Sequence, residues 1–130
     1  GELRSVEEWE EARDEASKQG MRLIVLYTRP GGDGEAQSHL SSLCARHPTT
    51  LLFASFDCDK HLERLSKRGV RFTGRFPVAV AYHGDKKIDQ LLGGASPSDY
   101  ERFVEAAHAD ASKGAASRPQ EAAAAAGAGG

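Results

Sequence analysis

The sequence predicts an α/β fold in the order α-β-α-β-α-β-β-α, a mixed four-stranded sheet flanked by helices. Three stretches carry that prediction. Leu23 to Tyr27 is a continuous apolar run, as a central strand covered on both faces requires. Val78-Ala79-Val80-Ala81-Tyr82, the polar turn His83-Gly84-Asp85-Lys86 and the run Ile88 to Leu92 read as a hairpin entered through Phe76-Pro77. Ser96-Pro97 then opens a helix that places Tyr100, Phe103, Val104 and Ala107 on one face.

The remaining elements fall between these marks. Residues 5–19 read as a helix: Ser5 and Glu8 form a capping box, and Val6, Trp9, Ala12, Arg13 and Ala16 share one face. Gly20 ends it. The strand at 22–28 breaks at Arg29-Pro30-Gly31-Gly32-Asp33-Gly34, a glycine-rich loop, and a helix follows from about Asp33 to Arg46. His47-Pro48 stops that helix. Thr50 to Asp57 is the next strand, and Asp59 is placed to cap a short helix from Lys60 to Arg68. A helical crossover makes the first two strands parallel, whereas the hairpin pair is antiparallel.

The chain of 130 residues carries a net charge of −2 with scattered basic residues. That pattern excludes a nucleic-acid stripe and a polybasic membrane patch, and no apolar run is long enough to span a bilayer. The opening residues show no signal-peptide pattern, and a cytoplasmic location is expected. No large apolar residue follows Val104. The expected organisation is one domain over residues 3–110 and a disordered Ala/Gly-rich tail over 111–130.

Cys44 and Cys58 are the two cysteines, and they form neither a Cys-x-x-Cys pair nor a zinc pattern. Cys44 falls on the apolar side of its helix. Cys58 lies between Asp57 and Asp59, whose charge disfavours a thiolate. Two buried, unreactive thiols is the favoured reading. The glycine-rich loop lacks the Lys-Ser/Thr ending of a phosphate loop, and Asp33 and Glu35 set negative charge where an anion would sit. Glu35 and His39 can share a helix face without enough partners for a metal, and His47, His61, His83 and His108 read as surface residues. Neither a metal nor a cofactor is expected.

Several of these strings together resemble the thioredoxin family over about residues 3–108. Leu23 to Tyr27 resembles the strand leading to that family's active-site loop, and Phe56-Asp57-Cys58-Asp59 resembles a later strand end. Arg68-Gly69-Val70 resembles the close of the short helix. Phe76-Pro77-Val78 with the His83 to Lys86 turn resembles the proline loop and hairpin, and Gly93-Gly94 with Ser96 to Val104 the final glycine and helix. The resemblance implies a thioredoxin-like fold. It also locates a departure: where the family carries Cys-Gly-Pro-Cys, this chain has roughly Gly32-Asp33-Gly34-Glu35. The preceding tryptophan is absent too, and Leu26 stands near the family's acidic position.

The resemblance further implies a groove for an extended peptide beside a cis proline, here Pro77. Tyr27 to Gly34 would line it, which includes Arg29, Pro30, Gly31, Gly32 and Asp33, together with Arg75, Phe76 and Pro77. The function expected is a redox-inactive module that binds a protein or peptide partner there, with no nucleic acid and no membrane. The alternative is a monothiol oxidoreductase in cell redox homeostasis, using Cys44 or Cys58.

Overall fold

The computed structural model describes residues 2–29, 34–72 and 75–116, the side chains of 114–116 excepted. The elements in chain order are β1 (Glu2–Leu3), α1 (Val6–Lys18), β2 (Arg22–Thr28), α2 (Gly34–Cys44) and β3 (Leu51–Asp57). Then come α3 (Leu62–Lys67), β4 (Val78–His83), β5 (Lys86–Leu91) and α4 (Pro97–Ala116). The sheet order is β1-β3-β2-β4-β5. β2 runs parallel to β3 and antiparallel to β4, and β4 pairs antiparallel with β5.

The sheet has five strands rather than the expected four. β1 is two residues long and pairs Glu2 with Ser55 and Leu3 with Phe56. So short an edge strand has no readable alternation; the β3 edge it covers creates it. The other elements match the sequence pattern within a few residues, the usual scatter of helix and strand ends.

The alternation along β2 divides the core. Leu23, Val25 and Tyr27 point to one face, where Val6, Trp9 and Ala16 of α1 and Leu65 of α3 cover them. Ile24 and Leu26 point to the other, under Leu40 and Leu43 of α2 and Tyr100, Phe103 and Val104 of α4. Every residue from Leu23 to Tyr27 is buried, which is why the run has no polar member.

The helix starts are built as their sequences indicate. Ser5 Oγ accepts from the Glu8 amide, while the Glu8 carboxylate accepts from Arg4 N–H rather than from Ser5. At α4 the box is reciprocal: Ser96 Oγ accepts from the Asp99 amide and Asp99 accepts from the Ser96 amide. Asp59, in contrast, caps nothing. The chain makes a turn closed by a bond from His61 N–H to Cys58 O, α3 starts after His61, and that residue gives no side-chain cap. Ion pairs Arg64–Glu7 and Arg68–Glu10 fasten α3 to α1.

The segment 111–116, expected to begin the tail, continues α4 in the structure, and Ala111 is buried. Arg22, at the start of β2, holds this end of the helix through a 2.6 Å ion pair with Asp110. Residues 117–130 lie outside the described residues.

Candidate functional site

The candidate site is the end of the sheet where β2 stops and β4 begins. β2 delivers Thr28 and Arg29 there, and the antiparallel β4 brings the loop Arg75-Phe76-Pro77 beside them. The Phe76–Pro77 peptide bond is cis. The loop is held from behind by Gly93, whose amide donates to Arg75 O at 2.7 Å. A Cβ on Gly93 would lie 2.4 Å from Phe76 O and 2.7 Å from Arg75 O, so only glycine lets the two backbones approach this closely. At Gly94, φ is +89° and the Arg75 guanidinium packs over the backbone.

An aromatic row supports the loop from below. Phe76 packs on Phe72 with ring centroids 5.1 Å apart, and Phe72 packs edge-on against Tyr27 at 4.9 Å. Tyr27 is itself part of the core. Its hydroxyl accepts from Trp9 Nε1 at 2.7 Å and shares a 2.6 Å hydrogen bond with the Tyr82 hydroxyl. Burial, with the neighbouring Tyr82 phenol, holds the Tyr27 hydroxyl protonated well above its ordinary range. Tyr27 was expected to line the groove; it is fully buried and supports it from inside.

Two clefts flank the proline loop. On the α3 side a cleft of about 780 Å³ is lined by Arg29, Leu62, Arg71, Phe72, Arg75 and Phe76, among others. On the other side a cleft of about 390 Å³ lies between α2 and α4, lined by Glu35, Ala36, His39, Pro77 and Tyr100 with their neighbours. Of the residues expected in the groove, Arg29, Arg75 and Phe76 share the first cleft, and Pro77 faces the second. Phe76 is half-buried by its aromatic neighbours. Gly34 lines a separate hollow near Ser55. Pro30, Gly31, Gly32 and Asp33 lie outside the described residues.

The sequence reading missed several members. Leu62 falls within the helix expected from Lys60 to Arg68, Arg71 and Phe72 fall between that helix and the hairpin, and nothing in their local pattern marks them as site residues. Glu35 and His39 share a helix face by spacing, but nothing in the sequence sets them beside Pro77. They do share a cleft, where His39 Nε2 has no hydrogen-bond partner among the described residues. Among the described residues no group of three or more His, Cys, Asp or Glu is placed to hold a metal ion. His47 and His108, expected on the surface, stack at 3.8 Å and bond to Glu105 and Thr50, far from this site.

Both thiols are free and buried. Burial pushes the Cys44 thiol up to about 12. Cys58 is pushed up to about 11, first by burial and then by Asp57 and Asp59, against an opposing backbone hydrogen bond and Arg29. Cys58 Sγ donates to Thr28 O at 3.5 Å, which keeps it turned inward. Neither thiol lines either cleft.

No protein-family model matches this chain, and no curated protein matches it by sequence. Solved structures do match. A poplar thioredoxin h is 17% identical with a TM-score of 0.66, over 81% of this chain and 93% of the poplar chain. A Fasciola hepatica thioredoxin is 19% identical with a TM-score of 0.64, over 82% of this chain and 97% of the other. The germline-specific Drosophila melanogaster thioredoxin Deadhead is 17% identical with a TM-score of 0.64, over the same shares. At these identities the likeness is one of fold. Among the described residues no helix is long and apolar enough to cross a membrane.

Proposed function

Starting from a chain that is a thioredoxin-type module by fold, we propose that it binds a partner protein through the surface around Pro77 and performs no disulfide exchange. The observation that carries this reading is the contrast between two parts of one site. The proline loop is fully built, pinned to Gly93 and open to solvent on both flanks. The chemistry that such a loop serves in a dithiol enzyme has no counterpart here. Exchange needs an accessible thiolate at a helix start. Cys44 instead ends α2, and Cys58 is fully buried beyond the end of β3.

Buried thiols with raised pKa values argue against the monothiol alternative as well. A protonated thiol is a poor nucleophile, and a buried one cannot meet a protein disulfide. What remains usable is surface: an apolar and aromatic floor, a loop pinned to Gly93 and charged rims.

The test is peptide display selection on the whole chain, with binding of a selected peptide mapped by NMR. The expected result is shifts concentrated at Phe76, Pro77, Gly94 and Ala95 and no insulin-disulfide reduction above the uncatalysed rate. Binding confined to another face, or measurable reductase turnover, overturns the reading.

A further inference from the structure

The two flanks of the proline loop differ in charge, and the difference specifies a partner. On the α3 side three arginines, Arg29, Arg71 and Arg75, stand around one cleft, and among the described residues no carboxylate lines it. Arg29 is engaged with Asp59 at 3.5 Å and lies over the Phe76 ring at 5.5 Å. Arg71 and Arg75 are exposed, and neither forms an ion pair among the described residues, whereas Arg22, Arg64, Arg68 and Arg102 all do. Between these cations the floor is apolar. Phe72 and Phe76 form it, with Leu62, one of the two exposed large hydrophobic residues among those described. On the opposite flank Glu35 contributes a carboxylate.

We infer that this cleft is the seat of an acidic, extended segment of a partner protein, one bulky apolar side chain entering between Leu62 and Phe76 while flanking carboxylates meet Arg71 and Arg75. The inference rests on the binding reading above and adds the chemistry of the partner. A cleft of about 780 Å³ lies within the range of about 300–1,000 Å³ that receives a small ligand or a few side chains. Arginine suits the role because its planar fork takes a carboxylate through two parallel hydrogen bonds. The apolar floor supplies affinity, and the charges supply selection and direction. Glu35 repels an acidic segment from the other flank, so the acidic part of the segment lies on the α3 side of Pro77.

The cations also admit a second class of polymer, because arginine and phenylalanine together can hold phosphates and stack bases. Three arginines at one cleft match the few carboxylates of a short segment, whereas a nucleic acid needs a basic groove that tracks its backbone, which the basic residues scattered elsewhere in the sequence do not supply; this favours the acidic peptide.

The experiment uses the full chain and four labelled probes read by fluorescence anisotropy. One peptide carries four glutamates around a central Trp-Leu pair. The second has lysine for each glutamate, the third has alanine for the Trp-Leu pair, and the fourth probe is oligo-dT. The acidic apolar peptide is expected to bind most tightly, with affinity falling as salt rises. The double charge reversal Arg71→Glu/Arg75→Glu weakens it at least about fivefold, the scale of one or two well-placed ion pairs. Arg46→Glu, an exposed arginine just beyond the far end of α2, leaves it unchanged.

Equal binding of the acidic and basic peptides, tighter binding of oligo-dT, or no response to the double reversal overturns the inference. Circular dichroism confirms that each variant is folded. Display-selected peptides that map to the Pro77 surface but lack acidic residues sink this inference and leave the binding reading standing. Absence of any binder at that surface removes both.

Discussion

The amide of Gly93 and the carbonyl of Arg75 are joined by a 2.7 Å hydrogen bond that fastens the exit of β5 to the proline loop. It is the contact through which the edge of the sheet sets the position of the candidate site. The carbonyl oxygens of Arg75 and Phe76 leave no room for a side chain at residue 93. Gly93→Ala therefore has to displace backbone, not the tip of a side chain. The expected cost is about 1–3 kcal/mol, as for other overpacked positions, together with a shifted proline loop. Urea unfolding measures the first and NMR shifts at Phe76 and Pro77 the second. A variant as stable as wild type with an unmoved loop contradicts the account.

The Trp9–Tyr27–Tyr82 network predicts an order of mutational effects. Tyr27 is the shared member, accepting from Trp9 and bonded to Tyr82. Tyr27→Phe strands a buried indole N–H and a buried hydroxyl, which costs about 1–3 kcal/mol. Tyr82→Phe leaves the Trp9–Tyr27 bond intact and costs less, about 1 kcal/mol. The two unfolding free energies, with Trp9 fluorescence as the probe, give the comparison, and equal losses would count against the bonding scheme.

The buried thiols predict loss of stability in alkali. Each keeps its proton in the folded chain well above the ordinary value of 9.0, to about 11 for Cys58 and about 12 for Cys44. In that window the unfolded chain has already lost those protons, so unfolding releases them and stability falls as pH rises. The contribution is complete below about pH 9 and is gone once pH passes the folded values. Tyr27 and Tyr82, also raised, add the same sign at higher pH. Replacing both cysteines by alanine should flatten the decline between pH 9 and 11. Native-state alkylation near neutral pH should wait on unfolding; rapid modification of either thiol would revive the monothiol alternative.

The Arg22–Asp110 pair predicts that α4 matters to its last turns. Arg22 is buried, and its guanidinium reaches Asp110 at 2.6 Å while Asp110 remains half-exposed. Asp110→Ala leaves a buried cation without its carboxylate and should cost about 2 kcal/mol, less than for a fully buried pair because water reaches the site. Urea denaturation of the variant measures this, and a change below about 0.5 kcal/mol would mean the pair is a surface contact only.

How much of this was legible beforehand differs between fold and site. The order of elements was, because Leu23 to Tyr27, the Val78 to Leu92 hairpin and the Ser96 cap each state their structure locally. β1 was not, since two residues carry no period. The cap of α3 misled, because Asp59 has the right chemistry for a cap and a turn at Cys58–His61 took precedence. At the site, Arg29, Arg75, Phe76 and Pro77 followed from the family resemblance. Leu62, Arg71, Phe72 and the meeting of Glu35 and His39 with Pro77 and Tyr100 in one cleft came from packing alone.

The sequence by itself determined the order of the α/β elements other than β1, the parallel sense of β2 and β3, the antiparallel hairpin of β4 and β5, the caps at Ser5 and Ser96 and the lack of a Cys-x-x-Cys pair. These are local or compositional properties, written in apolar periods, turn residues and the identity of each side chain. The tertiary structure alone decided that Tyr27 supports the groove from inside rather than lining it, and that Arg29 at the end of β2 meets Arg71 and Arg75 of the α3–β4 connection around one cleft. Burial and charge proximity depend on where the sheet brings distant segments together, and no local pattern records that.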